Sequence, residues 1–494
     1  MLQNLLRAPR SRRSSVLRRA VVLRPSAMLA ALTVMACGGG SSPTTDGRSD
    51  GDGGTGPIDG PPADATITLA PTARFQTMRG WEATAQAGQE EIAAFPQYRD
   101  ALPEWAVDSV GLDRLRLEIR SGAENPRDSW GEMRAGRLSG SAWRCLRYEA
   151  VNDDASPTTM DPAGFHFGEL DLTVEQVVLP MKRRLEARGE RLFLNVNYVA
   201  FVQQCPGVRY DHRDPAEYAE FVLATVQHLR DKYGLVPDAW EVILEPDTGT
   251  PWHGAEIGAA IVAADQRLRA AGFDVDFIAP STTSMANAVP YADELATRVP
   301  AARPLLAELS YHRYTGVSDA NLRAIAERAA AYGTATAMLE HMGADHEELH
   351  RDLAIGNVSA WQQFVLAYTG DDEGDAYLKV GTTGGTPSLR LGSRTRYLRR
   401  YFQHVRRGAV RIGAASDDEA FAPLAFVNPD DRYTVVVKTT RGGTVGVRGL
   451  PAGRYGVAST TADEDGSEPD VTIAAGGELR ATIPDRGVLV IFRR

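Results

Sequence analysis

Short apolar runs alternate with amphipathic segments from about residue 78 to about residue 395, and no other feature limits the possible folds so strongly. The amphipathic segments have the helical period, and several of them close on glycine, as residues 215–234 and 258–272 do. A chain that alternates strands with helices in this way builds a parallel sheet covered by helices. Eight runs have the length and composition of strands: MRGWEAT, LDRLRLEI, RLFLNVNYVAF, AWEVILEP, VDFIAPST, LLAELSYHRY, TATAMLEH and VSAWQQFVL.

Eight strand candidates separated by helices over roughly 300 residues predict an α/β fold of the (β/α)8 barrel type. A doubly wound open sheet is the structural alternative. Such a sheet normally carries a glycine-rich phosphate-binding turn after its first strand, and no such turn follows residues 78–84. We therefore expect residues 79–395 to form a closed barrel.

The chain changes character beyond residue 395. Residues 396–494 contain short strand-like runs divided by turn residues, with no long helix. This pattern of short strands and turns is typical of an all-β sandwich of modest size. Residues 64–78, ahead of the barrel, are also strand-like, and we expect them to pair into the same sandwich.

The first 36 residues have the features of an export signal rather than of a folded segment. They hold seven arginines and no acidic residue, and they end in the apolar stretch SAMLAALTVMA directly before Cys37. This arrangement resembles a bacterial lipoprotein signal, in which the cysteine becomes the lipidated first residue of the mature protein. The apolar stretch, about 11 residues long, is too short to span a bilayer. Residues 37–63, rich in Gly, Ser and Asp, are then a flexible tether.

These features predict a protein of the bacterial cell envelope or cell surface, or one released from it. The formal net charge of −10 argues against nucleic acid or an anionic membrane surface as the main partner. Contact with a membrane is expected only through the lipid at Cys37.

Two further cysteines, Cys145 and Cys205, remain in the body of the chain. In an exported protein two such thiols most simply form one disulfide, although two separate buried thiols are the alternative. Their spacing offers no metal site.

Two glutamates stand where predicted strands end. Glu245 follows the apolar run of the fourth strand, and Pro246 directly after it ends that strand. Glu340 is the last residue of the seventh strand. Because the carboxyl ends of barrel strands carry the active sites of this fold, both acids are expected at the barrel mouth. Glycoside hydrolysis uses two facing carboxyl groups, one of them protonated and the other ionised. An ion pair at a strand end is the structural alternative for either glutamate alone.

The chain also resembles a known group, the retaining (β/α)8 glycosidases, and most of all glycoside hydrolase family 30 with its side β-sandwich. The resemblance covers nearly all of the chain after the tether. It rests on RFQTMRGWEATAQ near the first strand, LEPD and LSYHRY in the barrel, and YLRRYFQHVRRGAVRIGA followed by AFVNPDDRYTVVVKTT at the start of the sandwich.

The resemblance implies a hydrolase of β-linked polysaccharides, oligosaccharides or glycosides that needs no cofactor and no metal. It assigns Glu245 as the general acid/base and Glu340 as the nucleophile of a covalent glycosyl-enzyme mechanism. Leu244 departs from the family, which has an asparagine there to hold the sugar 2-hydroxyl. Asn195 and Asn197, on the third strand, are the candidates to replace that amide.

Several other side chains are expected to support a substrate site. Arg116 alternates with apolar Leu115 and Leu117 and should point into the barrel, near the nucleophile by the resemblance or paired with Glu118. His312 and Tyr314 share one face of the sixth strand and could hydrogen-bond Glu340. The aromatic faces of Trp361 and Trp81 are candidate sugar platforms, with core packing as the alternative for each.

Two rival functions are weighed against hydrolysis. His346, Glu347 and His350 fit the H-E-x-x-H pattern of zinc peptidases, but the polar flanks of this stretch are unlike those of a buried zinc-binding helix. The second rival is a non-catalytic surface lipoprotein that binds carbohydrate through a degenerate barrel, for which Leu244 is the main argument. Retention of both Glu245 and Glu340 argues against a pure binder.

Overall fold

The computed structural model of the protein describes residues 62–156, 159–370 and 374–494. The predicted signal peptide, Cys37 and all but the end of the predicted tether lie outside the described residues. These described residues form one compact unit. In the described ranges no helix is both long enough and apolar enough to cross a membrane.

The described chain holds nineteen strands and thirteen α-helices. The strands are β1 (Ala65–Thr77), β2 (Gly80–Thr84), β3 (Arg114–Arg120), β4 (Phe193–Val199), β5 (Ala239–Glu241), β6 (Asp276–Ser284), β7 (Leu306–Thr315), β8 (Ala335–Glu340), β9 (Val358–Tyr368), β10 (Ala376–Thr383), β11 (Thr386–Leu391), β12 (Val410–Ser416), β13 (Phe421–Val427), β14 (Tyr433–Thr439), β15 (Gly443–Arg448), β16 (Gly453–Thr461), β17 (Asp465–Ile473), β18 (Leu479–Ile483) and β19 (Gly487–Arg493). The helices are α1 (Phe95–Tyr98), α2 (Leu102–Glu104), α3 (Ser129–Arg134), α4 (Gly140–Leu146), α5 (Gly168–Thr173), α6 (Leu179–Glu186), α7 (Pro215–Tyr233), α8 (Pro246–Gly249), α9 (Gly254–Ala270), α10 (Met285–Arg298), α11 (Asp319–Tyr332), α12 (His346–Ile355) and α13 (Thr395–Phe402).

Eight parallel strands close into a barrel. Each strand from β2 to β8 pairs with the next, and β9 pairs with both β8 and β2, which completes the ring. The eight apolar runs of the sequence supply these eight strands in order, so the predicted (β/α)8 barrel is confirmed. An open doubly wound sheet would leave two free edges and is excluded by the β9–β2 and β9–β8 pairings.

A hairpin formed by β10 and β11 was not predicted. Strand β9 continues past its barrel neighbours, and β10 pairs in parallel with its far end at Val365 and Ala367, while β11 returns antiparallel. The hairpin thus covers the edge that β9 would otherwise expose, a common way to protect an unpaired strand edge.

The all-β domain is one nine-stranded sheet with the order β17-β16-β19-β14-β13-β12-β1-β15-β18. Strand β1, from the segment ahead of the barrel, pairs with β12 and β15. The two edge strands of this sheet, β17 and β18, contact each other. The amide of Thr482 in β18 donates to the side chain of Glu468 in β17 over 2.6 Å. The sheet therefore folds on itself around its own apolar core.

Helix α12, which carries the H-E-x-x-H pattern, fixes this domain to the barrel. Glu347 forms ion pairs with Lys438 and Arg486 of the all-β domain, over 2.6 and 3.1 Å. The His346 ring stacks on Tyr397, and His350 Nδ1 hydrogen-bonds the Tyr401 hydroxyl. The three motif residues are thus held by separate partners, and among the described residues they belong to no cluster spaced to hold a metal ion. This geometry contradicts the zinc peptidase alternative.

The barrel interior is charged, whereas barrels of this type are usually filled with branched apolar side chains. Arg114 donates from both terminal nitrogens to Glu308, each over 2.7 Å, and from Nε to Glu82. None of these three side chains has exposed surface. Buried charges are tolerated only when they are paired in good geometry, and Arg114 supplies that pairing for two carboxylates.

We predict that Arg114→Leu destabilises the protein by about 3–5 kcal/mol, because it leaves Glu82 buried without its ion-pair partner and Glu308 with Arg79 alone. Urea unfolding followed by tryptophan fluorescence measures the change. Arg127→Leu is the matched control, since Arg127 pairs with Glu132 at the surface and its loss should leave the unfolding midpoint nearly unchanged. Equal midpoints for the two variants would contradict the role given to Arg114.

Candidate active site

Glu245 occupies an unusual backbone position at the barrel mouth. Strand β5 ends at Glu241, and Glu245 adopts the left-handed conformation (φ 48°, ψ 57°) directly before Pro246 and α8. A residue other than glycine is rarely found there, and such a position costs on the order of 1–3 kcal/mol unless its surroundings enforce it. Glu245 therefore lies in a turn between β5 and α8, and contacts with the rest of the barrel have to stabilise that turn.

The loop that follows β5 is held by the end of β6. The amide of Glu245 donates to the Ser281 carbonyl over 3.1 Å. Asp247 accepts hydrogen bonds from the amides of Thr283 and Ser284, at 2.7 and 3.1 Å, and from the side chain of Asn287. These contacts fix the backbone around Glu245 and hence the direction of its carboxyl group.

Glu340, the last residue of β8, is held from two sides. The Arg116 guanidinium donates to Glu340 Oε2, and the Tyr314 hydroxyl donates to Oε1 over 2.8 Å. Arg116 is fully buried and inward-facing, as its alternation with leucines predicts. Both oxygens of Glu340 are thus oriented, and its negative charge lies beside a guanidinium.

The two glutamates face each other closely. An oxygen of Glu245, a ring nitrogen of His312 and an oxygen of Glu340 all lie within 4.8 Å of one another. His312 Nδ1 is 2.8 Å from Glu245 Oε1, so the histidine supports Glu245, while Tyr314 supports Glu340. The sequence correctly singles out both side chains, but the expected contact of His312 with Glu340 is replaced by one with Glu245.

The two acids differ in their surroundings. Burial raises the pKa of Glu245 above its usual range; the hydrogen bond from His312 lowers it, the charge of Glu340 raises it, and the net shift is upward. Burial alone would lower the pKa of His312, but its bond to Glu245 and the charge of Glu340 outweigh burial and raise it. The raised pKa of Glu245 favours its protonated form, which is the form a general acid needs.

Glu245, His312 and Glu340 also form a donor set that could hold a metal ion, the one such set among the described residues. Both oxygens of Glu340 are already engaged by Arg116 and Tyr314. The buried guanidinium of Arg116 would also repel a cation at this point. The site fits proton transfer and nucleophilic attack better than metal binding.

Of the two asparagines of β4 that were candidates for substrate contacts, Asn195 is engaged inside the barrel instead. Asn195 has no exposed surface, and its amide donates to Glu82 and Glu241 inside the barrel, over 3.3 and 2.9 Å. Asn197 points the same way one step closer to the mouth and is equally buried, and neither of its amide atoms has a partner among the described residues. Leu244 is also buried, so the place of the family's asparagine is apolar.

Trp81 and Trp361 lie on the outer face of the barrel. Trp81 stacks on Phe402 with its ring centroid 4.5 Å away and donates from Nε1 to the Val405 carbonyl. Trp361 donates from Nε1 to Asp352 of α12 over 3.0 Å. Neither indole has exposed surface, so the expectation that they form sugar platforms is corrected to core packing.

Cys145 and Cys205 form a disulfide. The bond ties α4, in the long segment after β3, to the loop after β4. The alternative of two separate thiols is thereby excluded. The segment it anchors lies next to the carboxyl end of β3, on the same face of the barrel as Glu245 and Glu340.

Three supporting residues were not predicted. Thr84 accepts a hydrogen bond from Arg116 Nε, and Gln362 in turn donates to Thr84, so both orient the arginine that contacts Glu340. Asp247 steadies the Glu245 loop, as described above. Thr84 could have been found from its position two residues after Glu82, because polar residues that alternate on a buried strand face the interior.

No family model and no curated protein sequence matches the chain. Solved structures match it over most of its length. The catalytic domain of GH30 xylanase C from Talaromyces cellulolyticus is 14% identical, with 87% of this chain and 100% of that chain covered and a TM-score of 0.62. A GH30 endoxylanase from Clostridium papyrosolvens C71 is 17% identical with the same coverage and a TM-score of 0.61.

An endo-β-1,6-glucanase is 15% identical, with 88% of this chain and 96% of that chain covered and a TM-score of 0.59. At these identities the likeness establishes architecture. The chain thus has the fold of the glycoside hydrolase family 30 structures, a (β/α)8 barrel with a separate all-β domain, as the resemblance in its sequence indicated.

Proposed function

We propose that the protein is a retaining glycoside hydrolase of β-linked glycans, with Glu245 as general acid/base and Glu340 as nucleophile. The observation that carries the proposal is the approach of the two carboxyl groups to within 4.8 Å across the barrel mouth. Retaining enzymes hold their carboxyl groups about 5–5.5 Å apart, whereas inverting enzymes leave about 6.5–9.5 Å for a water molecule. The spacing here supports direct attack by one carboxylate.

The surroundings of the two acids support the division of roles. Glu340, oriented by Arg116 and Tyr314, attacks the anomeric carbon while the bond to the leaving oxygen breaks. Glu245 gives its proton to that oxygen, then accepts a proton from the water that releases the sugar from Glu340. His312 keeps Glu245 pointed at the bond being cleaved.

Structural neighbours that are xylanases and an endo-β-1,6-glucanase support a β-linked glycan as the substrate class. A non-catalytic carbohydrate-binding protein is the second candidate, favoured by the apolar Leu244 beside Glu245. It leaves unexplained why Glu340 is held by both a guanidinium and a phenol, since a binder needs no oriented nucleophile.

We further propose that the protein is exported and anchored through lipid on Cys37. The Cys145–Cys205 disulfide supports export, because disulfides persist in oxidising compartments. Labelled fatty acid should be incorporated by the full chain in a bacterial host and not by Cys37→Ser. Labelling of both would contradict the anchor.

The assignment of roles predicts different behaviour for two variants. Glu340→Ala should abolish turnover of aryl β-glycosides, and azide should restore part of it by taking the place of the carboxylate and giving the α-glycosyl azide. Glu245→Ala should lose about 10²–10⁴-fold on glycosides with poor leaving groups, and far less on activated aryl glycosides that need no protonation.

Released aglycone and the anomeric form of the azide product are the quantities to measure. Glu347→Gln, on the outer helix α12, is the matched control and should keep wild-type turnover. A wild-type protein that turns over no β-glycoside yet binds one saturably would favour the binding-protein candidate.

The His312 contact predicts a shift in pH dependence. Activity requires protonated Glu245, so kcat/KM falls as pH rises through the pKa of Glu245. His312 lowers that pKa, so His312→Ala should raise it further and move the basic limb of the profile to higher pH. Tyr314→Phe, which removes a bond to Glu340 instead, should leave the basic limb in place. A limb that stays or moves to lower pH in His312→Ala would contradict the assignment.

A further inference from the structure

The short helix α8, which directly follows Glu245, is held between two loops. The contacts from the end of β6 are described above. On its other side α8 contacts the 3-10 turn Val202–Gln204, in the loop after β4. The amides of Thr248 and Gly249 donate to the Glu245 carbonyl over 3.1 and 2.8 Å, so α8 and the Glu245 backbone form one hydrogen-bonded unit. A displacement of α8 therefore also displaces Glu245.

The ring of Phe201, in the loop after β4, packs directly against the last residue of α8. A β-carbon added at Gly249 would lie 2.4 Å from Phe201 Cδ1 and 2.9 Å from its Cε1. Both distances are well below the separation of about 3.5–4.0 Å at which two carbon atoms attract each other. The ring thus fills the space that any side chain at position 249 would need, and glycine allows this close approach.

Phe201 is itself held from the opposite side. Its half-buried ring meets the ring of Tyr148 edge-on, with centroids 5.7 Å apart and an angle of 68° between the planes, an arrangement that aromatic pairs favour. The disulfide between Cys145 and Cys205 ties the segment that carries Tyr148 to the loop that carries Phe201. Phe201 is therefore clamped between Tyr148 and Gly249.

The clamp bears on one of the two mouth carboxyl groups and not on the other. Glu245 has a left-handed backbone that its surroundings must enforce, and α8 is part of those surroundings. Glu340, in contrast, is oriented by Arg116 of β3 and Tyr314 of β7. Loosening Phe201 should therefore move the proton donor and leave the nucleophile in place.

We propose that Phe201 is a positioning residue for acid catalysis: clamped by Tyr148 and the disulfide, its ring presses on Gly249 and keeps Glu245 in the turn that aims its carboxyl group. The proposal rests on the proposed hydrolase function for the role of Glu245, but the hold on the turn exists without turnover.

Leaving groups of different acidity test this role. The full chain and its Phe201→Ala variant are compared on phenyl and 2,4-dinitrophenyl β-glycosides of xylobiose, cellobiose and gentiobiose. Phenolate is a poor leaving group that needs a proton from Glu245, whereas dinitrophenolate leaves without one. The quantity measured is kcat/KM, which reports the step that breaks the glycosidic bond. Phe167→Ala is the matched control, because Phe167 is also half-buried but its ring stacks on His228 of α7.

We expect Phe201→Ala to lose about 10- to 100-fold in kcat/KM on the phenyl glycosides, the size of effect that a small misplacement of a catalytic group produces. The loss on the 2,4-dinitrophenyl glycosides should stay within about threefold. Phe167→Ala should keep the wild-type ratio between the two leaving groups. Equal losses on both leaving groups in Phe201→Ala, or no loss on either, would overturn the proposal.

Gly249→Ala tests the same contact from its other side. The added β-carbon displaces the Phe201 ring, so this variant should reproduce the selective loss on phenyl glycosides. In the Phe201→Ala background the ring is absent, and the same substitution should then cost less than about twofold. Losses that multiply in the double variant would contradict a shared contact. Thermal unfolding checks that each variant is folded.

Hydrogen–deuterium exchange of the peptide that contains Thr248 and Gly249 separates this proposal from the hydrolase proposal. Both amides should exchange faster in Phe201→Ala than in the wild type or in Phe167→Ala, because α8 opens more often. If the wild type hydrolyses the glycosides while Phe201→Ala changes neither exchange nor the leaving-group ratio, the hydrolase stands and the role of Phe201 is wrong. If exchange rises in Phe201→Ala but the wild type turns over no glycoside, Phe201 does hold the turn and the hydrolase proposal is wrong.

Discussion

Two of the arginines of β3, Arg114 and Arg116, make the charged barrel interior possible. Arg114 and Arg116 stand two residues apart, so both point inward, one below the other. Arg114 neutralises Glu82 and Glu308 deep in the barrel, and Arg116 reaches Glu340 at the mouth. Without these guanidinium groups Glu82 and Glu340 would lose the cations they pair with and Glu308 would keep Arg79 alone, and a buried ion without its counter-ion costs several kcal/mol. The fold and the candidate site therefore depend on the same strand.

From this arrangement the two mouth carboxyl groups acquire different chemistry. Glu340 lies against Arg116 and Tyr314, which compensate and orient its charge. Glu245 is buried on a turn with one histidine partner, and its pKa is raised, chiefly by burial. Two identical side chains thus have different surroundings, which is the condition under which paired acids can divide acid and base roles. The strained backbone at Glu245 and the Asp247 contacts set the distance between them.

The sequence was sufficient for the barrel, the strand order, the position of Glu245 and Glu340 at the barrel mouth and the inward direction of Arg116, because alternation and strand ends are local features. The sequence did not predict which way some side chains point or which residues they contact. Every residue of β9 from Val358 to Ala367 is buried, so no polar alternation marks Trp361 as outward-facing. The partner of His312 depends on how the chain turns between the end of β5 and Glu245. That turn is a tertiary feature with no local pattern.

In the proposed mechanism Glu340 attacks the sugar directly, which its distance from Glu245 supports. Proton NMR of the first product formed from a β-glycoside tests this most directly, because the anomers of the released sugar are resolved before they interconvert. Direct attack by Glu340 predicts that the β-anomer appears first and that the α-anomer grows only later by mutarotation. An α-anomer formed first would show attack by water from the opposite face, and would contradict the role assigned to Glu340.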